Sequence, residues 1–415
     1  MIDTRDAPLI CAAGFLRSAT VGLVGVMLAI HLAELGFSAT GIGLLIGGGL
    51  TGSSLATVIV SLYGDAWGRR RVLIGLALLS ATGYLALALF TSAAALAPLA
   101  FAGMLNGMGR DRGAASALDQ AILPSAVPDA RRTWVLAWYN LVLDGGHAIG
   151  ALAATVPTLL MRTAEMGSQR AHQLTFAACA AAMVLCVLPY LALTPRIEPA
   201  AAQSTSALTR APVDPRSKRV ISRLAILFGL DSIGGGFLNS ALISYWFFRQ
   251  YGLSEADLAM LFFAARVLNA LSHMAAAWLA RHIGLLNTMV WTHLPSSVLL
   301  IAAPASPTAA MAGALFLARE ALVEMDVPTR QSYVMAVVKP AERTFASGVT
   351  NVTRNIAWAV GPSFAGLVMQ HVALAGPLVI GGTLKIVYDL LLYRAFRHVR
   401  PPEEVVTAAG RRTAG

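Results

Sequence analysis

Residues 64–71 read GDAWGRRR and lie between two of the most apolar stretches of the chain. Over 415 residues only 13% are charged while 57% are apolar, and the mean hydropathy is +0.67. Soluble domains carry about a quarter charged residues, so the natural solvent for this composition is a bilayer. A hydrocarbon core of about 30 Å takes roughly 20 apolar residues per helix. Backbone polar groups in lipid must be paired inside helices or closed barrels. The runs flanking GDAWGRRR are long and do not alternate, so they are helices and the octapeptide is the turn between them. Gly68 permits a tight reversal there, and Arg69, Arg70 and Arg71 mark the cytoplasmic side, where Lys and Arg collect.

Outward from this turn, apolar runs broken by Gly, Pro and charge predict an all-α integral membrane protein with twelve transmembrane helices. The spans fall near 8–33, 40–63, 70–91, 95–122, 133–160 and 171–193, then 221–248, 255–281, 283–304, 307–335, 343–371 and 373–396. One face of the turns holds Arg69–Arg71, Arg131, Arg132, Arg281, Lys339 and Arg343. The opposite turns near 34–39, 91–96, 302–307 and 370–373 hold no Lys or Arg, and only Arg162, Arg170 and Arg249 fall outside. This asymmetry predicts that both termini are cytoplasmic. The start, MIDTRDAPLI, lacks a basic leader and a small-residue cleavage site, so the first apolar segment is expected to stay as a helix. The net charge of +10 then belongs to the inner loops and implies no nucleic-acid partner.

The segment 194–220, rich in Pro, Ala, Ser and Arg, reads as a flexible cytoplasmic linker. It separates an N-terminal half, 1–193, from a C-terminal half, 221–400, followed by a cytoplasmic tail, 401–415. The halves repeat. Gln120, Arg132, Thr133, Asn140, Asp144 and Gly150 reappear 211 residues later as Gln331, Arg343, Thr344, Asn351, Asn355 and Gly361. Polar residues kept in one register mark duplicated, pseudo-symmetric six-helix halves, an arrangement found in secondary transporters.

Six plus six spans with DAWGRRR after span 2 resemble the major facilitator superfamily over nearly the whole chain. The family signature in this turn is roughly G-x-x-x-D-R-x-G-R-R. Asp65, Gly68, Arg69 and Arg70 match it, whereas Ser61 and Ala66 depart from it. The resemblance implies a gating set of Asp65, Gly68, Arg69, Arg70, Asp119 and Arg131. In it Asp65 latches the halves at the cytoplasmic side near the start of span 11, and Asp119 is the third member of an Asp–Arg–Asp network.

Ionisable residues deep in spans are expensive and by default functional. Here they are Arg17, Arg110, Asp111, Arg112, Asp144 and His147 in the first half, and Asp231, Arg266, Arg319, Glu320 and Arg354 in the second. Of these, Arg17, Arg112, Asp144, His147, Asp231, Arg266, Glu320 and Arg354 are the candidates for a substrate and proton cavity, because the resembled fold lines its cavity with the spans that carry them. Lys385 and Asp389, four apart in span 12, are expected to pair on one face. Spans 3, 6 and 9 carry no charge in their middles and read as supports.

RDRGAAS (110–116) resembles a span-4 motif linked in the family to proton-coupled export. The span-5 antiporter signature is incomplete, since Gly150 is followed by Ala151 rather than Pro; a fuller version, Ala357 to Gly361-Pro362 with Gly366, sits in span 11. The expected activity is secondary active transport of a small organic solute by alternating access, coupled to protons and favouring export. The alternative is proton-linked movement of an organic anion or a nutrient inward, and a remoter one is a polytopic enzyme or receptor. No H-E-x-x-H, P-loop or Gly-rich nucleotide motif occurs, so no enzyme activity, cofactor or metal is expected. Cys11, Cys179 and Cys186 lie in apolar runs without ligand spacing and read as small buried hydrophobes. The expected partners are the solute, protons and lipid, with the protein a monomer in a plasma (inner) membrane. The excess of Arg and Ala over Lys is the composition of a GC-rich bacterial genome.

Overall fold

The computed structural model describes residues 5–123, 132–198, 214–338 and 342–398, and these are helical with no strand among them. Helix α1 covers Asp6–Glu34, α2 Ala39–Trp67 and α3 Arg69–Leu89. Span 4 is divided into α4 (Ala93–Ala102) and α5 (Ala114–Ile122), span 5 into α6 (Arg132–Ala153) and α7 (Val156–Thr163), and span 6 into α8 (Ser168–Leu185) and α9 (Val187–Leu191). In the second half, α10 (Pro215–Phe237) and α11 (Ser240–Tyr251) make span 7, α12 (Glu255–Ile283) span 8 and α13 (Leu285–Ala302) span 9. Helices α14 (Ala309–Val323) and α15 (Asp326–Val337) make span 10, α16 (Arg343–His371) span 11 and α17 (Gly376–Phe396) span 12.

Each expected segment is occupied by helix. Among the described residues eight are long and apolar enough to cross a membrane, and spans 4, 5, 10 and 11 fall short of that measure. Spans 4 and 10 are each broken into helices shorter than 18 residues, and spans 5 and 11 carry Asp144 and Arg354 within them. Large apolar side chains face outward throughout: Ile226 is 71% exposed, Met274 74% and Trp134 63%. Such surface is stable only against lipid.

The helix breaks have local causes. Between α4 and α5 the chain turns through left-handed backbone at Met104 (φ +53°) and Gly109 (φ +67°). Side chains there replace the lost backbone bonds: Asn106 Nδ2 donates to Arg110 O at 2.8 Å, and Met108 N donates to Asn106 Oδ1 at 2.8 Å. The break in span 7 is closed by Asn239, whose Oδ1 accepts from Leu242 N at 2.9 Å and caps α11. Ser38 caps α2 in the same way, accepting from Gly41 N.

The chain forms two units. The first holds Met1–Arg210 together with Leu238–Arg266 and Pro362–Gly376, and the second holds Ala211–Phe237, Val267–Gly361 and Pro377–Gly415. Spans 7, 8 and 11 are therefore shared. Inside the first unit, α1 crosses α6 where Gly22 and Gly150 leave no room for a Cβ, which would lie 2.4 Å from His147 O and 1.9 Å from Ala19 O. The far end of α16 meets the start of α2 in the same manner. A Cβ on Gly43 would fall 2.4 Å from Pro362 O and one on Gly366 2.4 Å from Ala39 O, while Thr40 N donates to Gln370 Oε1 at 3.0 Å. The glycine-rich patterns of spans 5 and 11 are thus surfaces of close helix crossing. Inside the second unit Phe228, Met289, Tyr333, Tyr388, Leu392 and Phe396 form the apolar core.

Candidate functional site

The turn that opens the chain's argument is held by its own residues and by one that sequence reading missed. Gly68 adopts φ +89°, a region that disfavours any side chain. Arg69 Nε donates to Asp65 Oδ1 at 2.7 Å, one helical turn back across the reversal. Asp65 is 48% exposed and Arg69 13%, so this pair is a surface contact of small energy. The two free amides at the start of α3 are taken by Glu198: Arg69 N donates to Oε2 at 2.7 Å and Arg70 N to Oε1 at 3.1 Å. A carboxylate there satisfies orphan donors and meets the positive end of the helix dipole. Arg69 and Arg70 also donate to Ile197 O at 3.2 Å and Leu193 O at 3.5 Å. Glu198 stands 128 residues or more from these partners, and nothing local in the sequence links them. Arg131, and Pro340 and Ala341 at the start of span 11, lie outside the described residues.

Asp119 is fully buried in the first unit beside Arg17. Arg17 Nη2 donates to Asp119 Oδ2 at 2.7 Å and Nε to Asp111 Oδ2 at 2.9 Å. Arg17 Nη1 donates to Tyr190 OH, and Tyr139 OH donates to Asp119 Oδ2 at 2.9 Å. One cation therefore meets two acids and two phenols supplied by spans 4, 5 and 6. His147 joins through the unwound part of span 4, its Nε2 accepting from Asp111 N at 2.8 Å, with Asp144 Oδ1 3.9 Å from its Nδ1. Arg112 lies half-buried in that unwound segment. Arg266, buried, donates from Nη2 to Ser240 Oγ at 2.9 Å, and Ser240 Oγ donates to Met108 O at 2.9 Å. Spans 4, 5, 7 and 8 thus meet at Met108–Asp111.

In the second unit Asp231 is the hub. Lys385 Nζ donates to its Oδ1 at 2.7 Å and Arg330 Nη1 to its Oδ2 at 3.4 Å. Arg330 also pairs with Asp326 one turn away. His293 on α13 lies 3.0 Å from both Asp389 oxygens through Nδ1 and 3.4 Å from Lys385 Nζ through Nε2. The expected pairing of Lys385 with Asp389 is corrected here: the two are four apart on α17, but each meets a partner on another helix. Span 9, read as a bare support, contributes His293. Arg330, Asp326 and His293 were missed because each reads as an ordinary residue until spans 7, 9, 10 and 12 are brought together.

The remaining candidates are held separately in this unit. Glu320 pairs with Arg319 and accepts from Asn269 Nδ2 at 2.8 Å through Oε2. Arg354 Nε donates to Ser232 Oγ at 3.2 Å, and its guanidinium stacks over Trp358 at 4.5 Å. Such arrays do no bond chemistry of their own. Their capacity is to hold charge inside a membrane, to take up or release a proton, and to exchange internal partners for a solute.

The fold agrees with that of the chain's relatives. The Major Facilitator Superfamily model matches residues 10–362 and 224–414. An uncharacterized membrane protein of Saccharomyces cerevisiae is 27% identical over 419 residues, covering 94% of this chain and 93% of that protein. Among solved structures, the nucleoside transporter NupG superposes with a TM-score of 0.72 at 13% identity, covering 95% of this chain and 99% of that one. The D-xylose-proton symporter gives 0.72 at 15% identity, with 94% and 97% covered. The human organic anion transporter TETRAN gives 0.59 at 17%, with 94% and 99% covered. At these identities the likeness is one of fold; the family match covers nearly the whole chain and places it among transporters, not enzymes. The chain is a multi-pass membrane protein of the Major Facilitator Superfamily.

Proposed function

We propose that the protein is a proton-coupled secondary transporter that moves a small organic solute by alternating access between its halves, 1–193 and 221–400, as a monomer in a bacterial plasma membrane. The linker 194–220, the tail 401–415 and both termini are cytoplasmic in this reading, which the loop arginines support. The observation that carries it is the unwound stretch of span 4. It places Asp111 against Arg17 and His147, with Asp144 close by, in the middle of an otherwise apolar bundle. Broken helices with titratable groups at mid-depth are the usual construction of a binding and coupling site in secondary transporters. Export is favoured over uptake by RDRGAAS, which forms this stretch. Inward movement of an organic anion or nutrient is the second reading, supported by a fold shared with a sugar–proton symporter and an organic anion transporter.

Flux in proteoliposomes with an imposed pH gradient, screened over cationic drugs, sugars, nucleosides and organic anions, tests it. Proton-linked flux of one class is expected. Absence of proton-linked flux with every class refutes the coupling. For the inner gate, Asp65→Asn is expected to abolish flux while membrane insertion is retained.

A further inference from the structure

At the end of α1 remote from Asp6, a third set of ionisable groups, buried except for Glu34 at the surface, takes no part in either cluster. His172, in the first turns of α8, has no exposed surface. Its Nε2 lies 2.6 Å from Glu255 Oε1, and its Nδ1 lies 3.2 Å from Glu34 Oε2. Glu34 Oε2 also accepts from Ser168 Oγ at 2.6 Å. His31 on α1 stands edge-on to His172, with ring centroids 5.2 Å apart and Nδ1 atoms 3.3 Å apart. All of these residues belong to the first unit.

The protonation of His172 follows from this geometry. A neutral imidazole offers one N–H donor and one lone pair, and only the imidazolium donates from both nitrogens. With a carboxylate oxygen facing each ring nitrogen, the neutral ring would set a lone pair against an anion, either the buried Glu255 or Glu34 at the surface. Glu255 Oε2 is itself buried with no hydrogen-bond partner, so His172 is what holds that carboxylate. Helices α3 and α7 also pack on α8, and among the described residues no ion pair joins Tyr84 or Arg162 to the set. On α12, Asp257 is engaged at the surface with Ser254 at 2.6 Å.

The three carriers matter for mechanism. Glu34 is on span 1 and His172 on span 6, both of the first half, whereas Glu255 opens span 8 of the second half. We propose that His172 is a proton-binding latch, whose second ring proton ties the start of α12 to α1 and α8. Acid keeps this end shut. Loss of the proton to water leaves Glu34 or Glu255 facing a lone pair, and the start of α12 is released. On the topology proposed above this is the outer end, so the latch answers to external pH. The inference rests on the alternating-access reading.

The test is pulsed electron paramagnetic resonance on the full chain in proteoliposomes, with native cysteines replaced. Spin labels at Ala164→Cys and Gln250→Cys report this end, and labels at Ala66→Cys and Ile283→Cys report the opposite one. Between about pH 5 and about pH 11, a range that spans titration of a histidine held between two carboxylates, the first pair is expected to gain a longer-distance population as pH rises. His172→Gln and Glu255→Gln are each expected to show that population at both pH values, with the pH shift lost. A wild-type pH shift surviving in both variants overturns the latch, as does its absence from the wild type itself, a measurement that needs no variant to fold. Failure of the underlying reading looks different: the two ends then never change in opposite senses at any pH.

Discussion

The two halves bury an ion pair between their first and fourth spans, and the pairs have opposite polarity. In the first half the cation is on span 1 and the acid on span 4, Arg17 with Asp119 at 2.7 Å. In the second the acid is on span 7 and the cation on span 10, Asp231 with Arg330 at 3.4 Å. Asp119 and Arg330 are 211 residues apart, the spacing that relates the repeats. What the fold requires at this position is therefore a neutralised pair and not a charge of given sign. The reason is energetic, because an uncompensated buried charge costs several kcal/mol while a paired one roughly breaks even. It follows that these four residues do not report the charge of the solute.

The surroundings differ in one respect that can be broken experimentally. Arg17 meets both Asp111 and Asp119, whereas Asp231 shares a branched set in which Arg330 keeps Asp326 and His293 keeps Asp389. Arg17→Leu is accordingly expected to cost about 3–5 kcal/mol, seen as loss of monodisperse protein and a large fall in melting temperature. Asp231→Asn should cost less, and the comparison fails if it proves the more damaging. Exchange of the pair, Arg17→Asp with Asp119→Arg, should recover part of the loss, with a coupling of about 0.5–3 kcal/mol. Strict additivity of the two single changes would show that the pair does not act as a unit.

The phenols sharpen the same contrast. Tyr190 OH bonds to Arg17, while Tyr388 OH is buried beside the second cluster with no hydrogen-bond partner among the described residues. Tyr190→Phe is expected to cost about 1.5–3 kcal/mol, the range for a bond to a charged group, and Tyr388→Phe close to nothing. Thermal melts of the two variants in one detergent decide it.

The smallest effects concern the paired turns. Gly68 and Gly284 stand at corresponding reversals with φ of +89° and +87°. An alanine at either is expected to cost about 1–3 kcal/mol, by similar amounts, since the positive φ is shared. Only the first turn has Asp65, Arg69 and Glu198. Flux should therefore fall with Gly68→Ala by more than its stability loss predicts, and with Gly284→Ala in proportion to it.

Much of the architecture was legible because lipid imposes one rule on every span. Runs of about 20 apolar residues, loop arginines and polar residues repeating at 211 led to each helical segment within a few residues, as for 8–33 against Asp6–Glu34. The breaks were less legible. The span near 95–122 reads as continuous, yet Asn106 and Gly109 let it unwind once Arg17, His147 and Arg266 are near enough to occupy its polar groups. Among site residues the deep charges stood out by their solvent cost alone. Their partners did not: Arg17 finds Asp111, Asp119, Tyr139 and Tyr190 across separations of 94 to 173 residues, and no local pattern encodes such a choice.

By itself the sequence determined the solvent and the places where charge is costly, since each depends on composition and spacing along one chain. Tertiary structure alone decided which charges neutralise which. It set Asp119 and Asp111 on Arg17, Lys385 with Asp231 instead of Asp389, and Glu198 on the start of α3. The physical reason is that a buried ion has to be matched by whatever opposite charge or donor the packing brings within about 3 Å, and that distance is a property of how the helices cross.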